Sequence, residues 1–163
     1  MLYFAYGSNM STPRLKARIP SANLIGTGCL QGYQLVFHKV SMRDGSGKCD
    51  ASYTSNRSDQ VFGVLYDFPS TDLVALDKIE GVGQGYDVKI LDVQYEQKLV
   101  MAQTYLATNT DAGLKPLLWY KEHVLRGASE HDLPEEYIQY INSVEAIVDL
   151  DSGRAARELS LYR

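Results

Sequence analysis

Short runs of aromatic, aliphatic and β-branched residues, each bounded by Gly, Pro, Asn, Asp or Ser, follow one another through the first two thirds of the 163-residue chain. This pattern predicts strands separated by turns. The predicted strands cover residues 1–6, 24–30, 33–38, 51–54, 61–68, 86–94 and 99–108, with a glycine-rich loop at 44–48. The predicted helices cover residues 11–18, 70–80, 112–126 and 134–147. Strands interrupted by single helices and followed by a helical last third indicate an α+β or mixed α/β fold whose sheet can close into a barrel.

The length and the charge of the chain exclude several classes of protein. A chain of 163 residues can bury a sizeable core without disulfides or a structural metal. The formal net charge of −4 argues against a nucleic-acid partner, because phosphate recognition requires a basic surface. No apolar run approaches the ~20 residues of a transmembrane helix, and the first residues lack the positive start of a signal peptide. We therefore expect a cytoplasmic protein with no nucleic-acid or membrane partner.

The cysteines and histidines give no sign of a metal site or a nucleophilic triad. Cys29 and Cys49 lack CxxC spacing and are expected to be isolated thiols of a reducing compartment. His38, His123 and His131 form no metal-binding motif and accompany no GxSxG sequence. We therefore predict no metal and no cofactor, and we assign any acid–base chemistry to carboxylates or tyrosines.

The turn between the first predicted strand and the first predicted helix has the sequence Tyr6-Gly7-Ser8-Asn9. Gly7 permits a tight turn or a close approach of the backbone to a ligand. Successive amide N–H groups before a helix can hold a carboxylate or a developing oxyanion. The same composition is typical of an ordinary turn in which Ser8 or Asn9 caps the helix, so the local sequence leaves both interpretations open.

The helix that follows this turn carries three cationic side chains. It begins near Ser11, tolerates Pro13 in its first turn and ends before residue 20. Arg14, Lys16 and Arg18 are expected to form a solvated face of this short helix.

Glu80 is the candidate for proton transfer. It closes the predicted helix 70–80, and it shares one helical stripe with Leu73 and Leu76. This spacing places a carboxylate on the side of the helix that faces the core, where it can exchange a proton with a reacting group. The alternative is a glutamate that reaches solvent at a frayed helix end, next to Asp77 and Lys78.

Three of the twelve tyrosines lie at the boundaries of predicted elements. Tyr86 follows a glycine loop, Tyr105 lies near the end of a strand, and Tyr120 belongs to a predicted helix. A hydroxyl at such a boundary can point into a cleft while its ring packs. A structural hydrogen bond to the backbone is the default use of a buried tyrosine, so none of the three predicts a site by itself.

Five segments, read in order, resemble the γ-glutamylcyclotransferase family. They are Leu2–Met10 with its Tyr-Gly-Ser-Asn loop, Leu76–Val82 with the position of the catalytic glutamate, Tyr105–Asn109, Tyr120–Lys121 with Gly127–Ala128, and Leu133–Tyr137. The resemblance covers nearly the whole chain up to Ile147. We expect a single domain over residues 1–163, in which residues 149–163 match no family segment and form a peripheral C-terminal segment.

The resemblance implies a small, barrel-like mixed β-sheet flanked by helices, and an enzyme that acts on a small-molecule γ-glutamyl substrate. In this family the α-amine of the substrate attacks its own γ-carbonyl, which gives 5-oxoproline and a free amine or amino acid. Intramolecular attack supplies both the nucleophile and its proximity, so the protein mainly provides an acid–base group and a fixed geometry.

The resemblance also implies roles for individual residues. Glu80 is expected to take a proton from the α-ammonium and to return one to the leaving amine. The backbone amides of Tyr6–Asn9 are expected to hold the glutamyl carboxylate or the oxyanion at the γ-carbon, and Ser8 can add a side-chain hydrogen bond. Tyr105 and Tyr120 correspond to residues that line the glutamyl pocket.

One position departs from the family pattern. Some relatives carry a tyrosine seven residues after the catalytic glutamate, where this chain has Asp87, and Tyr86 comes one residue earlier. Adjacent residues of a strand face opposite sides of the sheet. Tyr86 is therefore expected to bind substrate only if the preceding glycine loop shifts the register.

Asn9 indicates which branch of the family the chain resembles. Glutathione-specific relatives usually have an apolar residue there followed soon by Trp, and γ-glutamylamine-specific relatives tend to have Tyr-Gly-Thr-Leu, so the sequence is closer to enzymes for γ-glutamyl amino acids. Three alternatives remain open: a γ-glutamylamine or a γ-glutamyl-protected biosynthetic intermediate as substrate, a non-catalytic γ-glutamyl-binding protein, and an oligomeric scaffold. The sequence is compatible with a homodimer.

Overall fold

The computed structural model describes all residues from Met1 to Arg163. The seven strands are β1 (Leu2–Ala5), β2 (Asn23–Gln31), β3 (Tyr33–Val40), β4 (Gly47–Tyr53), β5 (Gln60–Asp67), β6 (Tyr86–Tyr95) and β7 (Lys98–Ala107). The five helices are α1 (Thr12–Arg18), α2 (Ser70–Glu80), α3 (Leu118–Glu130), α4 (Glu135–Ser143) and α5 (Ser152–Leu159), and 3₁₀ turns cover Ser8–Met10 and Ser160–Tyr162. None of the helices has the length and apolar character needed to cross a membrane.

Five strands close into a barrel in the order β1-β5-β2-β6-β7. Neighbouring strands are antiparallel, except that β1 and β7 meet in parallel where Tyr3 lies opposite Gln103, one hundred residues further along the chain. The parallel contact makes the sheet mixed, and it places the first strand beside the last. The predicted α+β fold with a small, barrel-like mixed sheet and flanking helices is confirmed.

A single cluster of 32 buried apolar residues forms the core. Strand β1 is buried on both faces, because Tyr3 and Ala5 point to one side of the strand and Phe4 to the other. Complete burial of a side chain such as Phe4 stabilises the fold by ~1.5–3 kcal/mol. Helix α2 adds Leu73 and Leu76 to the same cluster, as the helical stripe predicts.

Strands β3 and β4 form a separate antiparallel pair outside the barrel. The predicted loop at 44–48 and strand at 51–54 are wrong at their boundary, because β4 already begins at Gly47. Gly47 lies opposite Val40, and a Cβ atom there would lie 2.2 Å from the carbonyl oxygen of Phe37. This glycine therefore permits close contact with β3 instead of marking a loop.

Three predicted helix boundaries are also wrong. Helix α3 begins at Leu118 instead of residue 112 and continues past residue 126 to Glu130, and helix α4 ends at Ser143, before residue 147. The late start of α3 and the early end of α4 have one cause, because Leu117 and Ile147 form an isolated parallel bridge that keeps the two flanking segments extended. The amide of Leu118 donates to the carbonyl of Ile147 at 2.9 Å and continues this pairing.

Residues 149–163 form α5 and the last 3₁₀ turn, and neither element contains a buried residue. Glu158 nevertheless accepts a hydrogen bond from Arg14 and lies 3.2 Å from the Nε2 atom of His123. Arg14 also lies 3.0 Å from that nitrogen. The prediction that Arg14 faces solvent is therefore wrong, since a buried guanidinium finds partners on α3 and α5.

The cluster of Arg14, His123 and Glu158 predicts acid-sensitive stability. Burial lowers the pKa of His123 below 6.5, and the hydrogen bond with His123 lowers the pKa of Glu158 to about 2. As the pH falls below 6.5, His123 becomes protonated in the unfolded chain before it does so in the folded protein. Glu158 behaves in the same way below pH 4.5. In each of these two pH ranges the free energy of unfolding therefore falls as the pH falls. Calorimetric Tm values from about pH 8 to about pH 3 should decline in both windows, and His123→Gln should lose most of the first decline. An unchanged first decline in this variant would contradict the role of His123.

Candidate functional site

The turn at the end of β1 is buried. Ser8, Asn9 and Met10 form a 3₁₀ turn, which the amide of Met10 closes by donating to the carbonyl of Gly7 at 3.0 Å. A Cβ atom at Gly7 would lie 3.0 Å from Cβ of Cys49, so the glycine allows the turn to pack closely against β4. The amide N–H of Gly7 has no hydrogen-bond partner in the protein, and it is free to bind a ligand.

Helix α3 and the C-terminal segment hold this turn from behind. A Cβ atom at Gly127 would lie 2.5 Å from Cβ of Met10 and 2.6 Å from the backbone nitrogen of Ser11. The helix and the turn therefore touch at a distance that only glycine permits. The hydroxyl of Tyr162 donates to Oγ of Ser11 at 2.9 Å and adds a second support.

The end of helix α2 determines the position of Glu80. Gly81 adopts a left-handed conformation with φ of 73° and ends the helix. The amide of Val82 then donates to the carbonyl of Asp77 at 3.0 Å, a C-terminal capping bond that fixes the last turn. The Glu80 side chain is only 18% exposed, so it is not the solvated glutamate of the alternative interpretation.

Asn9 and Arg18 both bind the carboxylate of Glu80. The Nδ2 atom of Asn9 donates to Oε1 at 2.9 Å, and Arg18 donates to the same oxygen at 3.0 Å. Arg18 also donates to Oδ1 of Asn9 at 3.0 Å, which closes a triangle of three side chains. The other carboxylate oxygen, Oε2, accepts no hydrogen bond from the protein. The predicted solvated face is wrong for Arg18 as well, and of the three cations only Lys16 is exposed.

Two buried tyrosine hydroxyls donate to no nitrogen or oxygen atom of the protein. Tyr3 accepts a hydrogen bond from Nδ2 of Asn9 at 3.0 Å, and Tyr120 accepts one from the amide of Cys49 at 3.0 Å. Burial raises the pKa of Tyr3 and of Tyr120, so both remain neutral donors. These hydroxyls can donate to a carboxylate or an oxyanion.

Three further tyrosine hydroxyls are already occupied. Tyr6 donates to the backbone carbonyl of Tyr105, and Tyr86 donates to the backbone carbonyl of Cys49. The hydroxyl of Tyr105 donates to Oδ1 of Asp77 at 2.6 Å. Burial raises the pKa of all three tyrosines. Their rings form walls of the site, and their hydroxyls link the residue after β1 to β7, β6 to β4, and β7 to α2.

The glycine loop places Tyr86 in the site in preference to Asp87. Gly83 and Gly85 have φ values of 80° and 137°, which non-glycine residues rarely adopt. After this loop Tyr86 is buried and faces the cavity, whereas Asp87 is exposed. The loop therefore leaves Tyr86, and not Asp87, in the lining of the cavity.

These groups enclose a cavity of about 30 Å³ beside a groove of about 280 Å³. The cavity is lined by Tyr3, Tyr6, Gly7, Ser8, Asn9, Cys49, Glu80, Tyr86, Thr104, Tyr105 and Tyr120. All eight residues that the sequence singled out belong to this lining. Sequence reasoning missed Tyr3, Cys49, Thr104 and the nearby Arg18. No group of three or more His, Cys, Asp and Glu side chains is arranged to hold a metal ion.

Comparisons with known proteins identify the family. Residues 60–141 match the AIG2-like family. The γ-glutamylcyclotransferase of Bos taurus is 35% identical over 150 residues, which cover 88% of this chain and 78% of that protein. The chain belongs to the γ-glutamylcyclotransferase family. The Homo sapiens γ-glutamylcyclotransferase is 34% identical over 151 residues, and a solved γ-glutamyl cyclotransferase structure, 30% identical, has a TM-score of 0.83 and covers 97% of this chain and 98% of its own.

Membership of the γ-glutamylcyclotransferase family confirms the resemblance that the five sequence segments indicate. The AIG2-like match begins with β5, ends in α4 and contains Glu80, Tyr86, Tyr105 and Tyr120. The turn at Tyr6–Asn9 lies outside that match.

Proposed function

We propose that this protein converts a γ-glutamyl amino acid into 5-oxoproline and the free amino acid. A bond forms between the α-nitrogen and the γ-carbonyl carbon of the substrate, and the amide bond from that carbon to the leaving nitrogen breaks. The observation that carries the proposal is the position of Glu80, whose carboxylate lines both the tyrosine-walled cavity and the wider groove. The activity named for the curated relatives supports this class of reaction.

Glu80 acts as the general base and then as the general acid. The α-ammonium of the substrate becomes a nucleophile only after it loses a proton, and the same nitrogen loses a second proton as it becomes the lactam N–H. The leaving nitrogen gains one proton as its bond breaks and a second as it becomes the ammonium of the free amino acid. Because Asn9 and Arg18 occupy Oε1, the unoccupied Oε2 is the atom that accepts the proton and returns it. A positioned acid–base group typically contributes ~10²–10⁴-fold to the rate.

Fixed donors stabilise the negative charge of the substrate. The amide of Gly7 and the hydroxyls of Tyr3 and Tyr120 are available to the glutamyl carboxylate and to the oxyanion that develops at the γ-carbon. These donors are already oriented before substrate arrives, so little reorganisation accompanies the reaction. Ser8 also lines the cavity and adds a hydroxyl.

The cavity supports internal attack over a covalent enzyme intermediate. Cys49 is the only thiol in the lining, and burial raises its pKa to about 12. A thiol in this state is a poor nucleophile near neutral pH. The α-amine of the substrate is held in the same molecule as its target, and such proximity can supply ~7–11 kcal/mol of the barrier reduction.

Product analysis tests the proposed function. The purified protein is incubated with γ-glutamyl amino acids, γ-glutamylamines and glutathione, and 5-oxoproline and the released amine are quantified. We expect equal amounts of the two products, with γ-glutamyl amino acids as the preferred substrates. Glutamate in place of 5-oxoproline would mean hydrolysis. No product, together with a ligand-induced rise in Tm, would mean a binding protein.

Asn9→Leu should lower kcat by about 10- to 100-fold, because hydrogen bonds to charged groups contribute ~1.5–3 kcal/mol. The substitution keeps the volume of this buried side chain but removes its bonds to Glu80, Arg18 and Tyr3. Asn109→Leu, at an exposed asparagine outside both cavities, is the control and should keep the wild-type rate. Equal kcat values for the two variants would exclude a role of Asn9 in orienting the base.

A further inference from the structure

The groove of about 280 Å³ is the space available to the leaving group. It shares Ser8, Glu80, Tyr86 and Tyr120 with the tyrosine-walled cavity. A substrate whose scissile amide lies beside Glu80 therefore has its glutamyl half in the cavity and its leaving half in the groove. This assignment rests on the function proposed above.

The groove is strongly basic on an acidic protein. Seven of its nineteen lining residues are Lys or Arg, against three Asp or Glu, whereas the whole chain has a formal net charge of −4. Charge of one sign along a groove raises the local concentration of ligands of the opposite sign. The leaving half of the substrate is therefore expected to be anionic.

Ion pairing within the protein leaves three cations of the groove without a counter-ion. Each acidic residue of the groove already has a partner, in the pairs Glu80–Arg18 at 3.0 Å, Asp44–Lys48 at 3.0 Å and Glu158–Arg14. Arg154 is bound by Asp149, which lies outside the groove. Lys39, Arg43 and Lys78 form no ion pair.

Lys39 is the most unusual of the three, because it is only 7% exposed. Its ammonium lies 4.5 Å from the centre of the Tyr86 ring and makes no hydrogen bond within the protein. Burial lowers the pKa of Lys39, as desolvation disfavours an ammonium. The stem lies against Gly85, where a Cβ atom would come within 2.8 Å of the lysine Cε. A ligand carboxylate at this point would compensate the loss of hydration of the ammonium.

We propose that the groove selects a leaving amino acid with two carboxylates, and that Lys39 is the specificity-determining residue that binds one of them. The α-carboxylate of any leaving amino acid occupies one cation, and an acidic side chain supplies a partner for a second among Lys39, Arg43 and Lys78. A leaving amino acid with a neutral side chain leaves one more of these cations unpaired. Acidic γ-glutamyl dipeptides, such as γ-glutamylglutamate, are therefore the preferred substrate class.

The test compares γ-glutamylglutamate with γ-glutamylglutamine, which has nearly the same shape and lacks the second carboxylate. We expect kcat/KM for 5-oxoproline formation to be about tenfold higher with the acidic dipeptide, through a lower KM, and the difference to shrink as salt screens the groove. Lys39→Gln should bring the ratio of the two kcat/KM values close to one, and Lys39→Arg should restore it.

Matched variants separate this effect from a general loss of charge or fold. Lys16→Gln removes an exposed lysine of α1 that lines neither cavity, and it should leave the ratio unchanged. Arg43→Gln, at an exposed position of the groove, should lower the ratio even if Lys39→Gln is unstable. Equal kcat/KM values for the two dipeptides in the wild type, or an unchanged ratio in both groove variants, would overturn the proposal.

If the proposed function is wrong, the experiment gives a result that differs from both outcomes above. In that case neither dipeptide yields 5-oxoproline, and the rise in Tm with each dipeptide still tests the groove. A larger rise with γ-glutamylglutamate that disappears in Lys39→Gln supports the selection of two carboxylates. Equal rises with both dipeptides overturn it.

Discussion

Glu80→Gln should lower kcat for 5-oxoproline formation by about 1,000-fold, within the range of positioned acid–base groups. The amide keeps an Oε1 acceptor for Asn9 and Arg18, so the local hydrogen bonds and the fold are retained. It cannot take the proton from the α-ammonium of the substrate. Binding should be preserved, and the rise in Tm with saturating 5-oxoproline should equal that of the wild type.

The control for this variant is Glu145→Gln, a carboxylate-to-amide change at an exposed residue that pairs only with Lys115. Its kcat should equal that of the wild type. A Glu80→Gln rate within about tenfold of the wild type would remove Glu80 from the proton-transfer step. Loss of both turnover and the shift in Tm would instead identify Glu80 as a ligand contact.

Gly127→Ala should destabilise the protein by about 3 kcal/mol, the upper part of the usual range for overpacking. In most helix interiors this change stabilises, because glycine is ~0.5–1 kcal/mol less favourable than alanine there. Here the new methyl group would lie 2.5 Å from Met10 Cβ and 2.6 Å from the backbone nitrogen of Ser11, and a backbone atom cannot rotate away. Calorimetry should show a fall in Tm of about 6–12 °C.

The same substitution should also lower kcat/KM by about 100-fold, because helix α3 would push the Ser8–Met10 turn out of place, and displacements of ~1 Å have effects of this size. Gly153→Ala in α5 is the matched control. Its methyl group would meet only side-chain atoms, Arg157 at 3.2 Å and Asp151 at 3.3 Å. We expect wild-type stability and activity from this control, and a stable, active Gly127→Ala would disprove the close contact of α3 with the turn.

Patterns in short stretches of sequence predict the elements of the fold that depend on residues close together in the chain. Runs of apolar residues bounded by turn residues predict the strands of the barrel. Gly81 predicts the last residue of α2 correctly. Gly47 misleads, because a glycine that permits two backbones to approach has the same sequence signature as one in a loop. The bridge between Leu117 and Ile147 joins segments thirty residues apart, and nothing in either segment alone indicates it.

The residues of the candidate site likewise divide into those that the sequence predicts and those that depend on contacts between distant parts of the chain. Tyr6–Asn9 and Glu80 stand at element boundaries that the sequence marks, so both were predictable. Arg18 was not, because its partner Glu80 is 62 residues away and only the packing of α1 beside the end of α2 joins them. Tyr3 lies inside a predicted strand, and its role depends on Asn9 and on the ring of Tyr105, whose centre is 5.8 Å away.

The parallel contact of β1 with β7 affects how the protein folds while it is being synthesised. Tyr3 is synthesised one hundred residues before Gln103, its partner in the barrel, which amounts to roughly 5–20 s at ~5–20 residues per second. Until then β1 can pair only with β5, and an apolar strand with one open edge is prone to pair wrongly with other chains. The tyrosine-walled cavity also lacks Tyr105 during this interval. Even when β7 is complete, the cavity still lacks Tyr120 of α3, so the site forms only after α3 has been synthesised.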